Sequence, residues 1–335
     1  MTRTNGRYRG AAAVALIHPW RQSAPLGAGR PVSSRVAGAI GFLALCVAAA
    51  QWAAIENASI AQLSDLGRSQ SDAPGSGAGG RGEVDAWLDQ RVMVGGYGGV
   101  THTYPSVVTI KNPGQTDLTV KGFEWLGKPF KSPIYYGLRG ISWPQGSRFG
   151  GMIDFTHAKA IANPDDIATF NGTLDGKPLP AKSRIGDTFK HLEFSHGHNM
   201  VTLNGLMRLG GMLPRISPYV GIGGGVSLPH TEVAFRGENG RTYEYQYAGV
   251  VGQGLAGIEV RLGRASVFVE YKFSYAPYDV PLSGVVNGWL LVTDVWRQIT
   301  AWTAGSRPPR GRLSTRLMTH HGIAGVLVRA SGSGR

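Results

Sequence analysis

The chain has 335 residues, a formal net charge of +13, 50 glycines and one cysteine. The charge sits at the ends: residues 1–35 carry six Arg and residues 295–335 seven, with no acid in either stretch, so 21 basic residues face 21 acidic ones between them. With a neutral middle the net charge is no sign of a basic nucleic-acid groove, the lone Cys46 excludes a disulfide framework, and glycine scattered through alternating apolar runs excludes a collagen-like repeat.

In chain order, residues 1–55 read as a signal peptide with a long basic n-region. Val36–Ala50 is its apolar core, and the small residues from Ala48 to Ala54 offer cleavage positions. An uncleaved anchor helix over Val36–Ile55 is the alternative, and Leu45 immediately before Cys46 argues against lipidation. A mature chain cut after this leader contains no cysteine. Residues 56–86 are Gly/Ser-rich and read as a disordered linker, while 331–335 form a tail.

Residues 87–330 carry strand patterns. Eight segments have period-2 alternation or strand composition: about 91–101, 133–142, 148–157, 198–208, 217–228, 246–262, 265–276 and 315–328. No apolar stretch after residue 56 reaches the roughly 20 residues of a membrane-crossing helix, so any spanning structure must be a barrel. Connections two, four and six are short (WPQGS, GGMLPRIS and GR), whereas the odd-numbered ones are long. This alternation predicts an all-β fold: an eight-stranded antiparallel transmembrane β-barrel in the outer membrane. It has long extracellular loops, short periplasmic turns and both termini on the periplasmic side.

Parity along the strands assigns faces. Val267, Val269, Tyr271, Phe273 and Tyr275 share the lipid side of one strand. Glu259, Arg261, Glu270, Lys272 and Arg139 are expected to form an inward charge network, because a small barrel has a filled lumen. Tyr97, Tyr135, Tyr136, Tyr219, Tyr245 and Tyr247 lie near strand ends, as interfacial anchors would. Gly221–Gly225 sits in a strand, where glycine permits close packing, so it is not a nucleotide-binding loop.

Seven of the nine histidines fall where strands meet long loops: His102, His157, His196, His198, His230, His320 and His321. Gathered at one extracellular rim they would supply a metal or acid/base site. His18 lies in the leader, and His191 is placed in a loop. His196 and His198, at i and i+2, would face the same way on a regular strand and suit two ligands of one metal. Glu193 would add an oxygen ligand or a general base; exposed polar loop residues are the alternative. Asp154 faces inward by parity and His157 outward. Of His320 and His321 only one can point inward, and closure of the barrel brings that pair beside His102. The expected catalytic residues are therefore Asp154, Glu193, His196 and His198, and the expected metal ligands are His102, His157, His196, His198, His320 and His321. Ser195 directly precedes His196, but neighbours on a strand face opposite ways, which ranks a Ser-His hydrolase second.

In the last long connection, 285–312, Trp289, Val292, Trp296, Ile299 and Trp302 recur at helical spacing. An amphipathic helix there would rest on the outer leaflet or pack over the barrel rim.

Several stretches resemble the rhizobial lipid A oxidase family of outer-membrane proteins: PFKSPIYYGLR (129–139), GGMIDFTHAKA (150–160), HLEFSHGHN (191–199), PYVGIGGGVSLPHTEV (218–233), VFVEYKFSYAPYDVPLSG (267–284) and LSTRLMTHH (313–321). The resemblance implies a small eight-strand barrel that uses O2 as co-substrate. It would oxidise the proximal glucosamine of lipid A to 2-aminogluconate, with hydrogen peroxide as co-product. The expected partners are lipid A, lipopolysaccharide and the outer membrane, with the protein a monomer and no nucleic acid involved. With no dinucleotide motif, no flavin or nicotinamide is expected; electron transfer to O2 then calls for a redox metal, Fe or Cu. A deacylase-type hydrolase and a non-enzymatic structural or adhesive barrel are the alternatives.

Overall fold

The computed structural model describes residues 92–144, 147–210, 215–238 and 240–330; the predicted leader, linker and tail lie outside the described residues. Strand β1 (Val92–Thr103) is followed by β2 (Val108–Asn112), β3 (Thr116–Lys121), β4 (Trp125–Leu126), β5 (Tyr136–Ser142) and β6 (Phe149–Ala162). Then come β7 (Ile167–Leu174), β8 (Lys177–Pro178), β9 (Lys182–Arg184), the single helical turn α1 (Ile185–Thr188), β10 (Phe189–Arg208) and β11 (Ile216–Ser227). The hairpin β12 (His230–Phe235) and β13 (Arg241–Tyr245) precedes β14 (Gly249–Leu262), β15 (Ala265–Pro281), helix α2 (Leu291–Thr303) and β16 (Arg312–Arg329).

Eight strands pair antiparallel in the order β1, β5, β6, β10, β11, β14, β15, β16, and β16 pairs back onto β1 with Gly325 opposite Tyr97. These overlap the eight expected segments one for one. The remaining strands extend the sheet at the long-loop end, where β2, β3 and β7 continue from β16, and β12 and β13 continue from β10. The first, third and fifth long connections therefore carry strands of their own, whereas the seventh carries helix α2 and no strand. No helix of the described residues is long and apolar enough to cross a membrane.

The ring is polar inside and apolar outside. Outward-facing Val94, Leu138, Ile153, Met207, Ile222, Ile258, Val269 and Val326, one from each ring strand, are exposed. Inward-facing Arg139, Asp154, Glu270 and Lys272 are buried. Arg139 forks onto Glu270 through two bonds of 2.9 and 3.0 Å and reaches Asp154 at 3.1 Å; Lys272 holds the other oxygen of Asp154. Two cations thus meet two anions, and the Tyr97 and Tyr219 hydroxyls close the network on Asp154 and Glu270. Glu259 accepts from Ser266 at 2.7 Å and faces Arg208, while Arg261 is half-buried at the short-turn end.

Below this layer a cluster including Met93, Trp143, Met152, Leu206, Phe268 and Leu327 fills the lumen. Above it, Val108, Ile110, Leu118, Val120, Phe170, Phe194, Val233, Tyr278 and Leu317 belong to a second apolar core that caps the long-loop end. The glycine run of β11 serves close packing, since a Cβ on Gly225 would stand 1.9 Å from the Val201 carbonyl oxygen. Three expected anchors are corrected: Tyr97, Tyr135 and Tyr219 are buried inside the ring. Their positions share the inward parity, and their hydroxyls satisfy polar groups there. Tyr136 is exposed on the outer side.

Candidate functional site on the outer face of the ring

The histidines divide into three groups, and the six expected metal ligands do not meet at one point. His198 and His321 are fully buried inside. His321 is bonded through both nitrogens, to Tyr135 at 3.1 Å and Ser274 at 3.0 Å, and His198 Nδ1 meets the Tyr278 hydroxyl. His102 and His320 are cross-strand partners, as barrel closure predicted, but on the outer side, where His320 bonds Tyr104 and Tyr271. Of the adjacent pair, His321 is the one that points inward. Asp154 belongs to the lumen charge network rather than to a rim site.

The third group lies on the outer face of β6, β10, β12 and β13 and contains His157, His191, Glu193, His196, His230 and Glu232. A bulge builds it. Pairing between β10 and β6 runs from Phe194 opposite Ala160 directly to His198 opposite Ala158, so Ser195, His196 and Gly197 are looped out against Lys159. Gly197 takes φ +140°, and a side chain there would collide with Asn199. The bulge reverses the expected relation of His196 and His198: one joins the outer group and the other enters the lumen. From His191 to Glu193 the pairing of β10 with β12 is regular, so His191 and Glu193 share the outer side, and Ser195 Oγ approaches Glu232 there at 3.5 Å. His191 is therefore a strand residue and not a loop residue.

Hydrogen-bond partners fix two tautomers. His157 Nδ1 lies 2.8 Å from Asn199 Oδ1, and the same amide donates its NH2 to the Leu228 carbonyl; Nδ1 must carry the proton, leaving a bare lone pair on Nε2. His230 Nε2 donates to the Gly288 carbonyl at 3.0 Å, which leaves the Nδ1 lone pair bare. Both bare nitrogens are buried without a partner. Burial pushes His230 down to about 4, so the ring is neutral near pH 7. His196 stands beside it, ring centroids 4.8 Å apart, with Ser195 Oγ 3.3 Å from Nδ1 and the Tyr243 hydroxyl 3.4 Å from Nε2. The expectation that Ser195 and His196 face apart fails because the bulge breaks strand alternation.

His191, Glu193 and Glu232 offer donor atoms within 4.8 Å of one another, the one such group among the described residues. His191 Nδ1 is 2.6 Å from Glu193 and 3.6 Å from Glu232, and Arg241 approaches Glu232 at 3.5 Å. Burial raises the Glu232 carboxyl, Glu193 reinforces the shift, and His191 and Arg241 oppose it. An imidazole and two carboxylates, one of them buried, suit a divalent first-row metal. Sequence reasoning missed Glu232 and the role of His191. The missed signal was the alternation His191-Leu-Glu-Phe-Ser195, whose apolar members face the core.

Helix α2 borders this group. Its polar side faces β13: Asp294 accepts the Tyr245 amide, Gln298 donates to the Tyr245 carbonyl, and Arg297 reaches Glu244 at 2.6 Å. Its apolar side is turned away from the protein, with Val292 and Trp296 exposed, and the exposed Trp289 just before the helix edges against His196 and Tyr243.

No protein-family model matches the chain, and no curated protein matches it in sequence. Among solved structures, the crystal structure of Neisserial surface protein A (NspA) aligns over 71% of this chain and 96% of that one, at 8% identity and a TM-score of 0.32. A likeness of that size adds nothing to what the strand pairing already establishes.

Proposed function

We propose that this chain is an eight-stranded outer-membrane β-barrel that oxidises the proximal glucosamine of lipid A to 2-aminogluconate, using O2, at the outer face of its extracellular end. The observation that carries the reading is the pair of bare, buried imidazole nitrogens of His157 and His230 flanking His196 on the outside of the ring. A soluble substrate of a porin-like barrel would meet polar groups in the lumen; here an apolar core covers the long-loop end of the lumen, and two of the buried imidazole nitrogens without a partner, those of His157 and His230, lie on the outer side. The apolar outer positions of β15, from Val267 to Tyr275, match the roughly 9–11 residues of a membrane-crossing strand.

The chemistry balances without a nucleotide. The anomeric hydroxyl gives up its proton, C1 its hydrogen, and two electrons pass to O2; a lactone and H2O2 form, and water opens the lactone to the acid. His196, with neutral His157 and His230 beside it, takes the hydroxyl proton, and Tyr243 orients His196. A redox metal such as Fe or Cu, for which His191, Glu193 and Glu232 offer donors, would supply electron transfer between sugar and O2.

Mass spectrometry of lipid A from cells with and without the protein tests this: the expected product is one oxygen heavier with every acyl chain retained. An unchanged lipid A removes the reading. The Ser195–His196 contact supports a second one, deacylation with Ser195 as nucleophile. A product lighter by one acyl chain would select it.

A further inference from the structure

We infer that the outer face carries an anion site, centred on Lys159, that takes a phosphate group of the glycolipid headgroup. This inference rests on the proposal that the outer face meets lipid A. Lys159 lies on β6 opposite the β10 bulge, two residues from His157 and on the same side of the strand. It is 4% exposed, yet among the described residues no carboxylate stands within ion-pair distance of it. Its ammonium donates to the Lys131 carbonyl at 2.5 Å, and an ammonium has three donors to place.

The charges that act on Lys159 are Lys131 and Lys128, from the loop between β4 and β5, with Glu193 as the one acid. Three cations held together against one carboxylate repel one another, and a doubly charged phosphate reverses the sign of that energy. The other buried lysine of the barrel, Lys272, shows how the fold treats a cation with no outside partner: it is locked onto Asp154. Lys159 lacks such a partner. Phe130, between the two loop lysines, is 83% exposed on a segment that also shows Ile134 to the outside. An apolar ring flanked by cations at the edge of an apolar belt fits a lipid surface, with Phe130 in the acyl layer and the lysines among headgroups. The site then holds the substrate by a phosphate on the sugar that is not oxidised, and presents the other sugar to His157 and His196.

The full chain, folded in detergent micelles, is titrated with lipid A carrying one phosphate on the distal sugar and with fully dephosphorylated lipid A. The expected result is at least tenfold tighter binding of the phosphorylated lipid, and loss of that preference in Lys159→Gln and in the double variant Lys128→Gln/Lys131→Gln. Lys121→Gln, an exposed side chain at the end of β3, keeps it. Folding of each variant is read from heat-modifiable migration, and the double variant, confined to exposed loop side chains, decides the matter if Lys159→Gln does not fold. Equal binding of both lipids by the wild type overturns the inference, as does a preference that survives in the folded double variant. Displacement of the lipid by equimolar inorganic phosphate would reassign the site to the free ion and overturn the headgroup reading. The titration involves no turnover. Phosphate preference without oxidised product leaves this site standing and removes the oxidase, and oxidised product without preference does the reverse.

Discussion

The inside and the outside of the ring use the same residue types to opposite ends. Inside, Arg139, Lys272, Asp154 and Glu270 neutralise one another, and His321 has both nitrogens bonded. Outside, His157 and His230 each keep a bare nitrogen, and Lys159 has no acid within ion-pair distance. His198 is the one lumen histidine with an unpaired nitrogen, and it lies beneath the apolar cap. Compensated charge holds strands in register; the uncompensated groups on the outer side are buried with donor or acceptor capacity unspent. The first region contributes stability, and the proposed function places its chemistry in the second.

The largest effect expected is on the inside. Glu270→Ala leaves the Arg139 fork facing an empty site and should cost roughly 3–5 kcal/mol, seen as a lower urea midpoint and loss of the heat-modifiable band. On the outside, His196→Ala should keep that band while lowering H2O2 release by on the order of 10²-fold, the range of a lost acid/base group, and His230→Ala should lower it less. Full activity in both would detach the chemistry from the outer face and break the comparison.

Acid sharpens the contrast. As pH falls from about 6.5, the unfolded chain takes up a proton that folded His230 refuses until about pH 4. The β12–β13 hairpin should therefore lose stability through that window and level off below it. Hydrogen exchange at the Thr231 and Tyr243 amides should report this, and His230→Gln should flatten the slope. The smallest effect belongs to α2: Trp296→Ala, on an exposed side chain, should change stability by less than about 0.5 kcal/mol but slow turnover on lipid A in vesicles relative to micelles. Equal slowing in both would tie Trp296 to the site rather than to the leaflet.

Most of the ring was legible in the sequence because its strands alternate over long runs, as Val267 to Tyr275 do, and because GR and WPQGS are too short to be anything but turns. The extensions were less legible. Val108, Ile110, Leu118 and Val120 also alternate, but over runs of five and six residues, and they read as loop. The candidate site was half-visible: Glu193, His157 and His196 were singled out, but separating His196 from His198 required a bulge that no local pattern announces. Glu232 was invisible for a different reason: it meets His191 and Glu193 only through the pairing of β12 with β10, a contact between distant segments.

Apolar clusters lie on both sides of the charge network inside the ring, and on the proposed function this bears on how a substrate arrives. The expected outcome in a planar bilayer is therefore no ion conductance. On the proposed function, lipid A comes sideways, by two-dimensional diffusion within the leaflet. The rate then saturates with the mole fraction of lipid A in the membrane, and diluting the same amount of substrate with inert lipid slows the enzyme even when its bulk concentration is unchanged.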